Sequence, residues 1–222
     1  MSLVQTLART IAVTIFCATI FPIVAAPVLA ADAPVRIVAL GDSLTAGFGL
    51  PREEAFPARL EAALRAKGLA VEISNAGVSG DIAASGLARL DWSVPAGTDA
   101  VIVELGANDA LRGLEPRLTR AALQEILRRL KERGIAVLLT GMRAPPNMGA
   151  DYTRAFDAIF PELAVANDVI FYPFFLDGVA ADRVLNQPDG LHPTVQGVET
   201  IVRRILPKAE ELIALAKAKR DS

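Results

Sequence analysis

The 222-residue sequence contains a single cysteine, Cys17, and a single histidine, His192. One cysteine cannot form a disulfide within the chain, so the stability of the fold must come from its packed core. Protein zinc sites use three or four histidine, cysteine or carboxylate ligands. With so few histidines and cysteines, and no clustered carboxylates, the sequence argues against a metal site.

The sequence also lacks an excess of charge of either sign. Lysine and arginine total 23 and aspartate and glutamate total 25, which gives a formal net charge of −2 with histidine neutral. A protein that binds a phosphate backbone or an anionic lipid surface needs a basic face. No cluster of lysines and arginines provides one, and we therefore expect no nucleic-acid partner.

Charged residues are nearly absent from the N-terminal region, where Arg9 is the only one among the first 31 residues. Residues 11–30 form an apolar run that contains two prolines and ends in a small-x-Ala pattern at Ala30, which is typical of a signal-peptide cleavage site. We expect residues 1–30 to be a cleaved signal peptide and residues 31–222 to be one mature domain. This places the protein in the periplasm or outside the cell, with no stable membrane insertion after cleavage. The alternative is an uncleaved membrane anchor, because twenty such residues are about enough to span a bilayer.

After residue 34, apolar β-rich runs alternate with amphipathic stretches. The pattern predicts strands at 35–40, 69–74, 100–105, 135–140 and 169–172, and helices at 53–67, 82–90, 118–133, 152–167 and 193–217. The apolar run at 100–105 predicts a strand that is buried on both faces, as in a parallel sheet. Strands that alternate with helices predict βαβ crossovers, and therefore an α/β domain with a central parallel sheet covered by helices on both faces.

Ligands of such sheets bind beyond the carboxyl ends of the strands, so the loops at these ends are the first places to look for chemistry. The first strand is followed by Gly41-Asp42-Ser43. A sharp turn at the glycine would put Ser43 where a helix begins, with its hydroxyl exposed and backbone N–H groups nearby to receive negative charge. The alternative is an ordinary helix N-cap, a role in which both serine and aspartate are favoured.

A serine hydroxyl is a poor nucleophile unless a base removes its proton. His192 is the only histidine, so no other residue can be the base of a Ser–His enzyme. The Asp189-x-x-His192 spacing can place a carboxylate beside the ring, where it would fix the tautomer and stabilise the imidazolium. The alternative is a surface loop that leads into a helix with Pro193 in its first turn.

Acyl transfer also needs hydrogen-bond donors for the oxyanion of the tetrahedral intermediate. Asn108, after the third predicted strand, can offer its side-chain amide, and Gly80, after the second, can offer a backbone N–H. Each loop alone is an ordinary turn, since Asn and Gly are common turn residues. The functional interpretation depends on the coincidence of nucleophile, base and two donors at separate strand ends.

These blocks, taken in order, resemble those of the SGNH-hydrolase family, also called GDSL esterases and lipases. The matching segments are Gly41-Asp42-Ser43-Leu44, the Gly80 loop, Gly106-Ala107-Asn108-Asp109 and Asp189-Gly190-Leu191-His192-Pro193. The resemblance implies a flavodoxin-like three-layer α/β/α fold with a five-stranded parallel sheet, and no cofactor. It also implies that Ser43, Asp189 and His192 are the catalytic triad. The oxyanion donors would then be the Ser43 and Gly80 N–H groups and the Asn108 amide.

Within that family the sequence is most similar to bacterial periplasmic thioesterase–lysophospholipases and arylesterases, through residues 79–90 and 103–113. Ala107 departs from the pattern of this subgroup, which has a second glycine there. The resemblance implies a serine esterase whose partner is a small-molecule acyl ester or thioester. We expect Leu111 and the loop Met142–Met148 to line an apolar groove for the substrate, although these residues can also simply pack on the surface.

Two other classes of function remain open at this point. One is a non-catalytic flavodoxin-like ligand-binding module that is exported to the periplasm, for which Ser43 and His192 would be coincidental. The other is a membrane-tethered scaffold that keeps residues 11–30 as its anchor.

Overall fold

The computed structural model describes residues 33–220, all of which belong to one compact unit. The expected signal peptide and its cleavage site lie outside the described residues. Within the described range, no helix combines the length and the apolar character needed to cross a membrane.

A parallel sheet forms the centre of the described chain. Its strands are β1 (Val35–Gly41), β2 (Val71–Gly77), β3 (Ala100–Glu104), β4 (Ala136–Thr140) and β5 (Ile170–Tyr172). The strands lie in the order β2-β1-β3-β4-β5, and every neighbouring pair is parallel. All residues of β3 and β4 are buried, as the apolar runs predicted.

Helices connect the strands and cover the sheet. They are α1 (Ser43–Ala46), α2 (Phe56–Ala66), α3 (Ala83–Ala88), α4 (Leu90–Ser93), α5 (Ala107–Leu111), α6 (Pro116–Glu132), α7 (Ala150–Asp157), α8 (Ile159–Asn167) and α9 (Val195–Arg220). Helix α2 packs against α9, whereas α6 packs against α3 and α8. The result is the predicted three-layer α/β/α arrangement with a five-stranded parallel sheet.

The second strand extends further than the sequence indicated. The sequence predicted a strand at 69–74, but β2 runs from Val71 to Gly77. Residues Asn75–Gly77 pair in register with Ala39–Gly41 of β1. Backbone pairing with a strand already in place therefore outweighs the turn preference of Asn and Gly at these positions.

The bounds of the helices also differ from the prediction. The helix expected at 82–90 is α3 (Ala83–Ala88) followed by α4, and the helix expected at 118–133 is α6 (Pro116–Glu132). Helix α2 begins at Phe56, after a separate 3₁₀ turn, because Pro57 favours a helix start. The helix predicted at 152–167 is divided into α7 and α8, with Ala158 between them. The terminal helix begins two residues late and continues through Pro207 to Arg220.

The order of the strands determines where a crevice opens. After β1 the chain passes to β2 on one side of it, and β3 then pairs with the other side. The connections at the carboxyl ends of β1 and β3 therefore leave in opposite directions, which creates a crevice where ligands of such folds bind. Ser43 follows β1 and Asn108 follows β3, so this topology brings the two predicted blocks to one edge of the sheet.

Candidate active site

Ser43 is the first residue of α1 and has a side chain that is nearly buried. The N-cap of this helix is Asp42, whose carboxylate accepts a hydrogen bond of 3.0 Å from the backbone N–H of Leu44. The alternative interpretation of Ser43 as the helix N-cap is therefore wrong, because Asp42 is the N-cap. The hydroxyl of Ser43 is left available for other partners.

The turn before Ser43 has room only for glycine at position 41. A Cβ atom there would lie 2.1 Å from the Thr45 hydroxyl and 2.7 Å from the backbone carbonyl of Glu104. We expect Gly41→Ala to lower the free energy of unfolding by about 1–3 kcal/mol, the usual range for overpacking. Urea unfolding of the two proteins measures this difference, and an unchanged midpoint would show that the turn can relax around a methyl group.

Ser43, His192 and Asp189 form a continuous chain of hydrogen bonds. The Nε2 atom of His192 lies 2.9 Å from Ser43 Oγ, and its Nδ1 atom lies 2.6 Å from Asp189 Oδ2. The other Asp189 oxygen accepts the backbone N–H groups of Leu191 and His192 at 2.9 and 3.0 Å. The fold thus joins residues that are 149 positions apart in the chain.

The ionisation of Asp189 sets the tautomer of the imidazole. Hydrogen bonds from the backbone and side chain of His192, and from the backbone of Leu191, lower the pKa of Asp189 to about 2. The carboxylate is therefore ionised at neutral pH and can only accept hydrogen bonds. The proton of a neutral His192 ring then lies on Nδ1, which leaves Nε2 free to accept the proton of the Ser43 hydroxyl.

Two residues that the sequence did not single out support the histidine. The half-exposed ring of Phe48 packs on the His192 ring, with 4.5 Å between centroids. The side chain of Gln187 donates to the backbone carbonyls of Phe48 and Pro193 at 2.7 and 2.9 Å. These contacts link the loop that carries the histidine to the turn that carries the serine.

The backbone N–H groups of Ser43 and Gly80 have no acceptor among the described residues. Gly80 has a φ of +86°, a left-handed conformation that favours glycine. Its carbonyl accepts a hydrogen bond of 2.8 Å from the Arg112 side chain, which helps to fix this loop. Both N–H groups are thus available to an incoming anion.

The third predicted donor, the side-chain amide of Asn108, has partners already. Its nitrogen donates to the carboxylate of Asp42 at 3.1 Å and to the backbone carbonyl of Asp81 at 3.0 Å. An amide nitrogen has only two hydrogens, so an oxyanion would have to share or replace one of these acceptors. The same two bonds hold the amide between the loops that follow β1 and β2.

A buried pair of carboxyl groups lies under the serine turn, formed by Asp42 and Glu104, and neither side chain reaches solvent. One oxygen of Glu104 accepts the Thr45 hydroxyl at 2.7 Å and the Asp42 backbone N–H at 3.3 Å. The other oxygen has no hydrogen-bond partner among the described residues. Burial raises the pKa of Asp42 to about 6, and burial together with the charge of Asp42 raises the pKa of Glu104 well above its usual range. Two such neighbours do not ionise together easily, so we expect the pair to hold a proton near neutral pH.

The proton of Glu104 should make stability depend on pH, and Glu104→Gln should remove that dependence. Above pH 4.5, its usual pKa, an unfolded chain loses this proton whereas the folded protein keeps it. The contribution of the raised Glu104 pKa to the free energy of unfolding is therefore fully present below about pH 4.5. It declines as the pH rises towards the pKa of Glu104 in the folded protein. Glutamine has the same shape and no such proton. Relative to the wild type, the variant should gain up to about 1.4 kcal/mol in free energy of unfolding for each pH unit.

Urea unfolding of both proteins at pH 5 and pH 8 measures this difference. Ionisable groups that do not contact Glu104 cancel in the comparison, whereas Asp42 titrates together with Glu104 as one pair, so the difference reports the pair. Parallel pH dependences for wild type and Glu104→Gln would mean that Glu104 is ionised in the folded protein at both pH values.

A buried ion pair, Arg89–Asp81, connects the same loops. Arg89 donates to the Asp81 carboxylate at 2.6 Å and to the backbone carbonyl of Gly41 at 2.8 Å. Because both side chains are largely shielded from water, removing either one would leave a buried charge without its partner. This pair therefore fixes the position of the loop after β2 relative to the serine turn.

An open cleft of about 400 Å³ begins at Ser43 and His192. Its walls include Leu111, Met142, Ala144, Pro145, Phe174 and Leu176. The structure thus places Leu111 and residues 142–146 of the predicted loop in the wall, whereas Asn147, Met148 and Gly80 lie outside it. The contribution of the loop after β5, with Phe174 and Leu176, was not anticipated from the sequence. No group of residues that could hold a metal ion is present in the described part of the chain.

Comparison with known proteins gives relatives along most of the chain. The sequence is 37% identical over 185 residues to an arylesterase of Vibrio mimicus, an alignment that covers 83% of this chain and 91% of the relative. It is 40% identical over 164 residues to the thioesterase 1/protease 1/lysophospholipase L1 of Escherichia coli K12, with 73% and 77% covered. Among solved structures, the SGNH-hydrolase family esterase AlinE4 has a TM-score of 0.70 and 47% identity, with 82% of this chain and 98% of that chain covered.

The family model of the GDSL-like lipases and acylhydrolases matches residues 39–199. This range contains all four blocks on which the resemblance was based, from the serine turn to the histidine loop. The match and the similarity of the relatives confirm that resemblance: the chain belongs to the GDSL-like lipase/acylhydrolase family.

Proposed function

We propose that this protein is a serine esterase that hydrolyses carboxylic esters and thioesters through an acyl-enzyme on Ser43. The observation that carries the proposal is the hydrogen-bond chain Ser43–His192–Asp189, with distances of 2.9 and 2.6 Å, at the mouth of a largely apolar cleft. The relatives support it, since one is named an arylesterase and another a thioesterase and lysophospholipase.

In the first half of the reaction, Ser43 Oγ attacks the carbonyl carbon while His192 Nε2 takes the hydroxyl proton. The negative charge that develops on the carbonyl oxygen is stabilised by the Ser43 and Gly80 N–H groups and by the Asn108 amide. As the bond to the leaving group breaks, His192 gives its proton to the departing alcohol or thiol. Asp189 stabilises the imidazolium between these two proton transfers.

In the second half, water replaces the leaving group. His192 takes a proton from water as its oxygen attacks the acyl-enzyme carbonyl, and the same donors hold the oxyanion. Collapse of this intermediate releases the carboxylic acid and returns the proton from His192 to Ser43 Oγ. The cycle needs no electron acceptor and restores the enzyme.

The cleft supports substrates with an apolar portion. Leu111, with Met142, Ala144, Pro145 and Pro146, contributes apolar side chains to the cleft beside Ser43, and the two prolines restrict the conformations of that loop. Burial of alkyl or aryl groups there gives binding energy in proportion to the apolar area removed from water. We assign Leu111 to substrate binding on this basis.

Export is the second part of the proposal. Residues 1–30 have the charge distribution, apolar run and small-x-Ala end of a signal peptide, so the active domain would begin near residue 31. N-terminal sequencing of the exported protein tests this directly. A mature N-terminus near residue 31 is expected, and an intact residue 1 on exported protein would contradict cleavage.

Turnover of a small panel of substrates tests the enzymatic function. We expect the purified protein to hydrolyse p-nitrophenyl esters of short and medium acyl chains, and the matching acyl thioesters of N-acetylcysteamine. Ser43→Ala serves as the control for contaminating hydrolases. If wild type and Ser43→Ala were equally inactive towards every ester and thioester, the protein would be a non-catalytic ligand-binding module.

A further inference from the structure

One residue gives the cleft a permanent charge. Among the described residues that line it, Arg143 is the only side chain that is charged at every pH at which the enzyme would work. It lies on the loop after β4, between two buried residues of that loop, Met142 and Ala144. Arg143 thus places a positive charge in the wall of an otherwise uncharged cleft, where an anionic group of a bound substrate can meet it.

The guanidinium of Arg143 has no such partner within the described part of the chain. Its carbon atom lies 4.9 Å from the centre of the Phe174 ring, and no hydrogen bond or ion pair to a described carboxylate is present. Asp157, the carboxylate that contacts the same loop, accepts the backbone N–H of Ala144 at 2.9 Å. By contrast, Arg154 on α7 is paired with Asp151.

The guanidinium of Arg143 lies over the ring of Phe174, a cation–π contact that uses none of its hydrogen-bond donors. Its N–H groups therefore remain free for a second partner. A carboxylate or phosphate can accept two of these N–H groups in parallel. The residue is exposed, so an anion can reach it without displacing protein atoms.

The strand order of the sheet gives the distance between Arg143 and the nucleophile, Ser43. Ser43 follows β1 and Arg143 follows β4, and β3 lies between these strands. Two steps of about 4.8 Å between parallel strands separate the two loops by roughly 10 Å. An anion bound at Arg143 would therefore be several bonds away from the carbonyl that Ser43 attacks.

From these observations we propose that Arg143 is an anion-binding subsite of the cleft. It would select esters and thioesters that carry a carboxylate or phosphate. The anion would lie on the part of the substrate that extends away from Ser43, over the loops after β3 and β4. This inference rests on the proposed esterase function and adds to it a preference for anionic substrates.

Matched substrates separate the charge from the rest of the molecule. For an anion on the acyl side, p-nitrophenyl hydrogen adipate is compared with p-nitrophenyl adipamate, which replaces the carboxylate by a neutral amide of similar size. For a phosphate on the leaving-group side, S-hexanoyl-4′-phosphopantetheine is compared with S-hexanoylpantetheine, which lacks only the phosphate. Each pair has the same reacting carbonyl, so the ratio of kcat/KM within a pair reports recognition of the anion.

Three variants accompany the wild type. Arg143→Gln removes the charge, Arg143→Lys keeps the charge but loses the planar pair of donors, and Arg154→Gln removes an arginine that lies outside the cleft. In at least one substrate pair we expect wild type to prefer the anionic member and Arg143→Gln to lower that preference by about tenfold or more. Arg143→Lys should lose less, and Arg154→Gln should behave as wild type. Arg143→Gln should lower the hydrolysis of the neutral members less than that of the anionic members, and Arg154→Gln should leave both unchanged.

The possible failures can be told apart. If wild type hydrolyses the neutral esters but Arg143→Gln leaves the ratio unchanged in both pairs, the anion subsite is refuted and the esterase function stands. Equal loss of activity on charged and neutral members would give Arg143 a structural role and would also refute the subsite. Absence of turnover of every member of both pairs by wild type would overturn the esterase proposal and this inference together.

Discussion

Replacing Ser43 with alanine should lower kcat by at least about a thousandfold, because removal of any member of a triad leaves only the catalysis that binding and the oxyanion donors supply. The variant should fold normally. Asp42, and not Ser43, caps α1, and the single hydrogen bond that is lost is the one to the histidine ring. Steady-state hydrolysis of p-nitrophenyl butyrate measures the loss, and thermal unfolding checks the fold.

Two control variants test whether the loss of activity is specific to the hydroxyl of Ser43. Ser74→Ala, on the exposed side of β2, should keep the activity of the wild type. A double variant, Ser43→Ala with His192→Ala, should be no less active than either single variant, since the two side chains act as one unit. Retention of more than about a tenth of the activity by Ser43→Ala would exclude Ser43 as the nucleophile.

Asn108→Ala should lower kcat by about 10²–10³, the usual cost of losing one oxyanion donor. The oxyanion exists only in the transition state and intermediate, so KM should change much less than kcat. Asn147→Ala, at an exposed position on the loop beside the cleft, is the matched control and should be unaffected. Kinetics of both variants over a range of p-nitrophenyl ester concentrations separate kcat from KM.

Asn108 also has a structural role in the folded protein. Its amide bridges the Asp42 carboxylate and the Asp81 carbonyl, so the variant also leaves a buried carboxylate with one donor fewer. That loss alone would lower stability, by about 1–3 kcal/mol, but would not by itself reduce kcat in a folded enzyme. A less stable variant with wild-type kcat would therefore assign Asn108 a structural role only.

Much of the fold was predictable because local pattern and global topology agree. The strands at the centre of the sheet are apolar, their helices end near glycines, and a regular alternation of the two elements admits few arrangements other than a parallel sheet. The positions of Ser43 and Asn108 at strand ends were evident for the same reason. The parallel sheet then brings these ends together at one edge.

What could not be predicted depends on contacts between distant parts of the chain. Glu104 interrupts an otherwise apolar strand, and only the structure shows that it lies beneath Asp42 and next to Thr45. Likewise, the contact between Phe48 and the histidine ring joins loops that are far apart in sequence. No periodicity within a single segment carries information on such pairs.

The loop after β5 is a similar case. Residues such as Phe174 appear in the sequence as part of an irregular segment, without the spacing of a helix or a strand. Their place in the wall of the cleft follows from the position of β5 at the edge of the sheet, beside β4. The strand order had to be known before these residues could be assigned to the site.

Covalent labelling tests the central assignment most directly. The protein is treated with a fluorophosphonate, which phosphonylates an activated serine much faster than other side chains, and the modified residue is located by mass spectrometry of its peptides. We predict one adduct, on Ser43, that forms much more slowly in His192→Ala. A folded wild-type protein that remains unmodified, or that carries the adduct on another residue, would contradict the assignment of Ser43 as the nucleophile.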